Sequence, residues 1–272
     1  MAYNNFKPIF WSKYILDELE KKTVLVNRCW REFEGQAKKG EKVKILGLGD
    51  ITIGDYTGAD IGAPETIADE STYLEITQAK FFNFCINDID KAQTQGNLMD
   101  KLMGKVAHKM ALERDSFVAK QAVDAGNEDK ETVVQINTAT KAKEVIDKGL
   151  LWLRENDVQL DDDVSIEIPP FVYQLLKDKY IELDTNNSTM LANGQVGKYD
   201  NAKIIISNNL YNDGNGTYCM IRTPEAIAFA GGIDSMEPYR PEGNFQDAVK
   251  GLNTFGAKVV CPKQLYALKV SK

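Results

Sequence analysis

Residues 42–56 read KVKILGLGDITIGDY, and residues 71–87 answer with STYLEITQAKFFNFCIN. The first run alternates, placing Val43 and Ile45 on one face and Ile51 and Ile53 on one face. The second is read with Leu74 and Ile76 on opposite faces and with Phe82, Phe84 and Ile86 on one. Between them, TGADIGAPETIADE (57–70) carries Gly58, Gly62 and Pro64, a turn-rich tip. Residues 41–87 therefore predict one long β-hairpin. At about 3.3 Å per residue, a strand of about 15 residues reaches roughly 50 Å, the width of a small domain. A two-stranded ribbon of that length is marginal in water unless something covers it. Nothing nearby in the sequence is ready to cover it, so the cover is expected from another copy of the chain. That expectation points to assembly, not catalysis.

Working outward, residues 97–125 predict a single long helix. Asn97 suits the N-cap and Asp100 lies in the first turn. Leu98, Leu102, Val106 and Met110 recur every four residues, Phe117 and Val118 extend the stripe, and Gly126-Asn127 is the expected stop. At 1.5 Å per residue the helix is about 42 Å long. Before the hairpin, residues 8–22 read as a short amphipathic helix opened by Pro8, with Trp11, Ile15, Leu16 and Leu19 at helical spacing. An apolar arm follows through Val24, Val26 and Trp30, which would fray unless it docked.

Residues 131–235 predict a compact α/β unit. Strands are expected at 132–136, 164–168, 202–207 and 218–221. Helices are expected at 140–154, bearing Val145, Ile146, Leu150 and Leu153, and after Pro169-Pro170, bearing Phe171, Val172, Leu175 and Leu176. Thr223 to Ala230 reads as a short helix, and the Gly/Asn-rich stretch 184–201 as a loop. From 236 onward the chain reads as extended strands.

The composition is ordinary for a soluble protein. The chain has 272 residues, 43% apolar and 27% charged, a net charge of −7 and a pI near 5.0. A globally acidic protein is poorly suited to gripping nucleic acid by counterion release. The charge is uneven: residues 1–50 hold ten Lys/Arg against seven Asp/Glu, and residues 124–163 five against eleven. Such asymmetry can orient subunits or mark a polar face. Cys29, Cys85, Cys219 and Cys261 form no Cys-x-x-Cys pair and read as small buried hydrophobes of a reducing compartment. No signal peptide is visible, and no apolar run approaches membrane-spanning length.

The residues offer little chemistry. Gly47-x-Gly49 lacks the third glycine and the helix start of a dinucleotide site, and it lies inside a strand run. Asp161-Asp162-Asp163 reads as an exposed turn and does not fit a calcium loop. The single histidine, His108, sits on the long helix beside Lys105 and Lys109, with no nucleophile tied to it. No catalytic, cofactor or metal residue is expected.

In this order of parts the chain resembles the major capsid proteins of tailed bacteriophages, the Hong Kong 97 fold. FWSKYILDELEKKTVLVNRCW (10–30) looks like the N-terminal arm. The hairpin looks like the extended loop, and NLMDKLMGKVAHKMALERDSFVAKQAVDAG (97–126) like the spine helix of the peripheral domain. IEIPPFVYQLLKD (166–178) and YCMIRTPEAIAFAGGI (218–233) look like the axial domain, and GNFQDAVKGLNTFGAKVVCP (243–262) like the closing strands. The resemblance implies an α+β fold divided into an arm (1–34), an extended loop (35–88), a spine-helix segment (89–130), an axial α/β domain (131–235) and peripheral return strands (236–272). It further implies hexamers and pentamers in an icosahedral shell around double-stranded DNA held without sequence specificity, located in the virion and assembled in a bacterial cytoplasm.

Subunit contacts are expected at Trp11, Ile15, Trp30, Ile45, Ile51, Ile53, Tyr56, Leu74 and Ile76, and the structural spine at Leu98, Leu102, Val106, Met110 and Phe117. The arm starts within ten residues of Met1, so a separate scaffolding protein is expected beside a portal. Some relatives cross-link a loop lysine to a neighbour, and Lys42, Lys44 and Lys80 are available, though no motif selects one. Two other readings remain open: an encapsulin-type compartment shell, which shares the fold, and a cytoplasmic α/β enzyme with an unrecognised site.

Overall fold

The computed structural model describes residues 23–33, 42–45, 72–87, 98–158, 163–182, 195–243 and 245–272. The expected arm helix over 8–22, the hairpin tip and Asn97 lie outside these residues.

Among the described residues a six-stranded and a three-stranded sheet, with a small two-stranded one, are packed around the long helix Leu98–Lys120. The larger sheet has six strands in the order β4 (Val133–Gln135), β11 (Leu265–Ser271), β8 (Thr217–Arg222), β5 (Ser165–Ile168), β7 (Ala202–Ile206), β6 (Gln195–Tyr199). The β4/β11 and β5/β7 pairs are parallel, and the remaining pairs antiparallel. One face of this sheet packs under two helices. In Ala139–Glu155, Thr138 caps the start, its Oγ accepting from the Lys141 N–H at 3.3 Å, and Val145, Ile146, Leu150 and Leu153 are buried as predicted. In Pro170–Glu182 the proline sits at the first helical position, where its missing N–H costs nothing. These helices meet Ile166, Ile204, Cys219, Ile221, Tyr266 and Leu268.

The alternate residues Tyr218, Met220, Leu265 and Ala267 point the other way and meet Val118 and Ala119 at the long helix's end and Ala122 just beyond it, with Leu25 and Val26 of the arm. Both faces are thus covered, which is why every residue of β5 is buried and β8 and β11 are nearly continuous burial.

The second sheet has three strands, β3 (Gln78–Asn87), β10 (Gln246–Val259) and β9 (Ile227–Tyr239), all antiparallel, with a bulge at Leu252/Asn253. The long helix lies on one face: Met103, Ala107, Phe82, Phe84, Ile86, Val249 and Met236 form that core. On the other face residues 72–76 cover the β9–β10 end, where Leu74 and Ile76 meet Ala228 and Ala230, while β3 is left open among the described residues, with Phe81 80% exposed opposite the half-buried Leu252.

Several expectations are corrected. The return run of the hairpin is divided. Its first part, β2 (Thr72–Glu75), pairs with β1 (Lys42–Ile45), and its second part is β3, paired instead with β10. Leu74 and Ile76 do not face opposite ways: both are buried in one cluster, as an i, i+2 spacing in extended chain dictates. The segment read as a helix over 223–230 is a 3₁₀ turn, Pro224–Ala226, running into β9, because the apolar run Ile227–Phe229 is buried in sheet and not on a helix face. The stretch read as a loop over 184–201 contains β6.

The long helix ends at Lys120 and tightens into the 3₁₀ turn Gln121–Asp124. Gly126 is therefore not the left-handed cap. Its role is close approach, since a Cβ there would lie 2.3 Å from the Pro262 carbonyl oxygen. Gly256 likewise lets β2 cross β10, where a Cβ would lie 2.2 Å from the Glu75 carbonyl oxygen. Finally, only Cys29 and Cys219 are buried; Cys85 is exposed and Cys261 half-buried.

Candidate assembly surfaces and the arm clasp

The residues leading out of the arm are gripped from two sides. The 3₁₀ turn Val26–Arg28 has no side-chain cap of its own. Asp115, from the long helix, supplies one: its carboxylate accepts from the backbone N–H groups of Val24, Leu25 and Val26 at 3.0, 3.1 and 3.1 Å. Arg222, at the end of β8, takes the carbonyl end, donating to Arg28 O at 2.6 Å and Leu25 O at 2.9 Å. Its Nη2 also pairs with Glu167 Oε1 of β5 at 2.7 Å, both side chains fully buried. A carboxylate on the donors and a guanidinium on the acceptors hold one turn between the long helix and the six-stranded sheet. Trp30 then adds two backbone bonds, donating its N–H to Ile227 O and accepting from the Phe229 N–H, both at 2.9 Å.

Burial shapes the protonation of this clasp. It pushes Asp115 up to about 6 against the pull of the three N–H donors. It also raises Glu167, and outweighs the opposing effect of Arg222 there. The Cys29 thiol, 3.5 Å from Arg222 Nη1, is pushed up to about 11, again by burial, and stays a neutral thiol. A second group, Lys269 on β11, is nearly buried. It pairs with Asp213 and Glu131 at 2.7 Å each and lies over the Tyr218 ring. Those hydrogen bonds raise Lys269 and lower both carboxylates.

The hairpin root is built on four residues named as contacts. Ile45, Leu74 and Ile76 are buried with Ala228 and Ala230, and Trp30 packs against them. Trp30 also meets Phe33 edge-on, ring centroids 4.9 Å apart. Within one subunit, then, arm and hairpin share a root. Trp11, Ile15, Ile51, Ile53 and Tyr56 lie outside the described residues. Of the hairpin lysines, Lys42 pairs with Glu75 at 2.6 Å and Lys80 with Glu113 at 3.0 Å.

On the long helix, Leu98 is the first residue. Met110 is buried, and Leu102, Val106 and Phe117 are half-buried, Phe117 edge-on to Phe255 at 5.6 Å. The most deeply buried stripe runs one residue along: Met103, Ala107, Ala111, Arg114, Asp115 and Val118. Alanines carry little contrast in a hydrophobicity pattern, and two buried charges interrupt it. Asp115, Glu167 and Arg222 escaped the sequence reading for the same reason. The one available signal was a lone charge inside SIEI, matched by an arginine closing the apolar run YCMI.

A cleft of about 880 Å³ opens beside the clasp, lined by Cys29, Trp30, Asp157, Asp163, Glu225 and Cys261 among others. It carries no nucleophile–base pair. Burial raises both thiols, and Glu225 raises Cys261 further. His108 is exposed on the long helix. Among the described residues no group of acidic, Cys or His side chains is arranged to hold a metal, and no helix is long and apolar enough to cross a membrane.

This arrangement of a six-stranded and a three-stranded sheet with a connecting helix is the α+β fold of phage capsid proteins, as the sequence resemblance implied. A chain of Mycobacterium phage Che8 superposes with a TM-score of 0.71 at 28% identity, over 90% of each chain. The capsid structure of the cyanophage P-SCSP1u gives 0.70 at 14% identity, over 92% of this chain and 88% of that one. A virus-like particle from Pyrococcus furiosus gives 0.59 at 14% identity, over 96% and 98%. No protein-family model matches the sequence, and no curated protein matches it.

Proposed function

We propose that this chain is the major capsid protein of a tailed phage, assembling as hexamers and pentamers into an icosahedral shell around double-stranded DNA. The observation that carries this reading is likeness to capsid subunits over nine-tenths of the chain. The molecule's own geometry supports it. The three-stranded sheet is covered by the long helix on one face and only in part by the hairpin root on the other, and Phe81 and Phe245, 80% and 84% exposed, are large apolar groups without cover among the described residues. In this reading the hairpin beyond its root, with Ile51, Ile53 and Tyr56, lies over a neighbour's open sheet face, while Trp30, Ile45, Leu74 and Ile76 fix the angle at which it leaves. The arm, with Trp11 and Ile15, reaches a second neighbour from the clasp. A separate scaffolding protein and a portal complete the assembly.

Negative-stain electron microscopy of the purified protein, alone and with a co-encoded scaffold, tests this. Closed shells, or rings of five or six, are expected. A monomer under both conditions contradicts it, and shells filled with protein cargo instead of DNA point to a compartment shell. Ile51→Asp with Ile53→Asp is expected to abolish shells while leaving the thermal unfolding of the subunit unchanged, because a charge cannot be buried in an apolar contact.

A further inference from the structure

The solvent face of the long helix is basic on an acidic protein. Lys101, Lys105, His108, Lys109 and Lys120 are all exposed, and at 3.6 residues per turn they fall within one sector. The only acid exposed among them, Glu113, is paired with Lys80 at 3.0 Å. None of the four lysines is in an ion pair with a described residue, whereas several acids elsewhere pair within the chain. Asp129 pairs with Lys148, Asp200 with Arg154, Asp163 with Lys203, and Glu131 and Asp213 with Lys269.

The spacing selects the ligand. Lys101, Lys105 and Lys109 recur every four residues, about 6 Å of helix rise. A nucleic acid strand presents a phosphate about every 3.4 Å of axis, so such a row can meet alternate phosphates. We propose that this face, built on Lys101, Lys105, Lys109 and Lys120, is a docking track for the phosphate backbone of duplex DNA. The identity of that DNA as a packaged genome rests on the capsid reading; the polyanion chemistry does not. Contacts through lysine ammoniums carry no base readout, so binding is independent of sequence. With a protein charge of −7 behind a four-lysine track, binding is weak and reversible, which suits a shell that must hold DNA and also release it.

The test uses fluorescence anisotropy with a labelled 30-base-pair duplex, titrated from about 25 to 200 mM salt, on the wild-type chain and on Lys101→Gln/Lys105→Gln/Lys109→Gln. Removing three phosphate contacts is expected to flatten the slope of log K against log salt by about 2.7. The variant's affinity should also fall at low salt for unrelated sequences alike. Unchanged thermal unfolding of the variant shows that it folds. A wild type that does not bind the duplex, or a variant that binds it with the same slope, overturns the track. So does displacement of the duplex by polyglutamate at equal charge, which would make the face a docking site for acidic protein. Microscopy on the same samples keeps the two readings apart. Absence of wild-type shells counts against the capsid, and loss of shells only in the variant, with duplex binding intact, assigns the stripe to a second copy and overturns the track.

Discussion

The six-stranded and three-stranded sheets share one chain and one helix but end differently. The first is covered on both faces by its own chain: two helices on one side, the long helix's end and the arm clasp on the other. The second has the long helix on one face, while on the other the hairpin root covers only the β9–β10 end and, among the described residues, leaves β3 open, where Phe81 stands exposed. A sheet finished from within supplies subunit stability. A sheet left half-finished supplies a surface whose apolar burial is available only through a neighbour. The hairpin repeats the lesson at smaller scale, with a root buried inside the subunit on Leu74 and Ile76.

Substitutions in the covered region should cost the subunit most. Arg222→Ala strips the guanidinium from Glu167, leaves a buried carboxylate unpaired and frees two arm carbonyls. A loss of about 3–5 kcal/mol in denaturant unfolding is expected. A loss below about 1 kcal/mol would mean the clasp is incidental. Met103→Ala, under the helix-covered face of the three-stranded sheet, should cost about 2–5 kcal/mol. The neighbouring Leu102→Ala, at a half-buried position, should cost visibly less. An inverted order would place the helix on its other side.

The clasp also predicts a pH dependence. Burial holds Asp115 at about 6 in the folded chain, against an ordinary 3.8. The folded form therefore binds a proton more readily than the unfolded form, and this group's contribution to stability grows as pH falls from about 6 to about 4. Asp129, Glu131 and Asp213, held low by their lysine partners, act in the opposite sense. The difference between wild type and Asp115→Asn isolates the Asp115 part. It should change by roughly 2–3 kcal/mol over that window and be flat above about pH 7. The smallest effect on the subunit is expected on the open face: Phe81→Ser should shift unfolding by no more than about 0.5 kcal/mol, yet impair shell formation.

Much of the larger sheet was legible. Val164–Ile168, the Thr138-capped helix and the Pro170 helix start each carry local signals that agree with their tertiary setting. The pairing of 42–45 with 72–75 was legible as well, although Leu74 and Ile76 were read as facing opposite ways and are buried on one face. What the pattern could not carry was partner choice. The run 71–87 reads as one strand, but its halves belong to different sheets, and strand pairing is decided by β1 and β10, distant in sequence. The clasp was illegible because its polar members lie in segments that look apolar, and their complementarity exists only once three elements meet. The buried alanines of the long helix were missed because close packing against a sheet favours small residues, which a hydrophobicity count undervalues.

Hydrogen exchange on unassembled and assembled protein tests most directly the contrast between a finished and an unfinished sheet. Amides of β3, residues 78–87, are expected to exchange quickly in the free subunit and to gain protection in shells, while β8 and β11 stay equally protected in both. Equal exchange of β3 in subunit and shell would contradict the account, because the open face would then meet nothing on assembly.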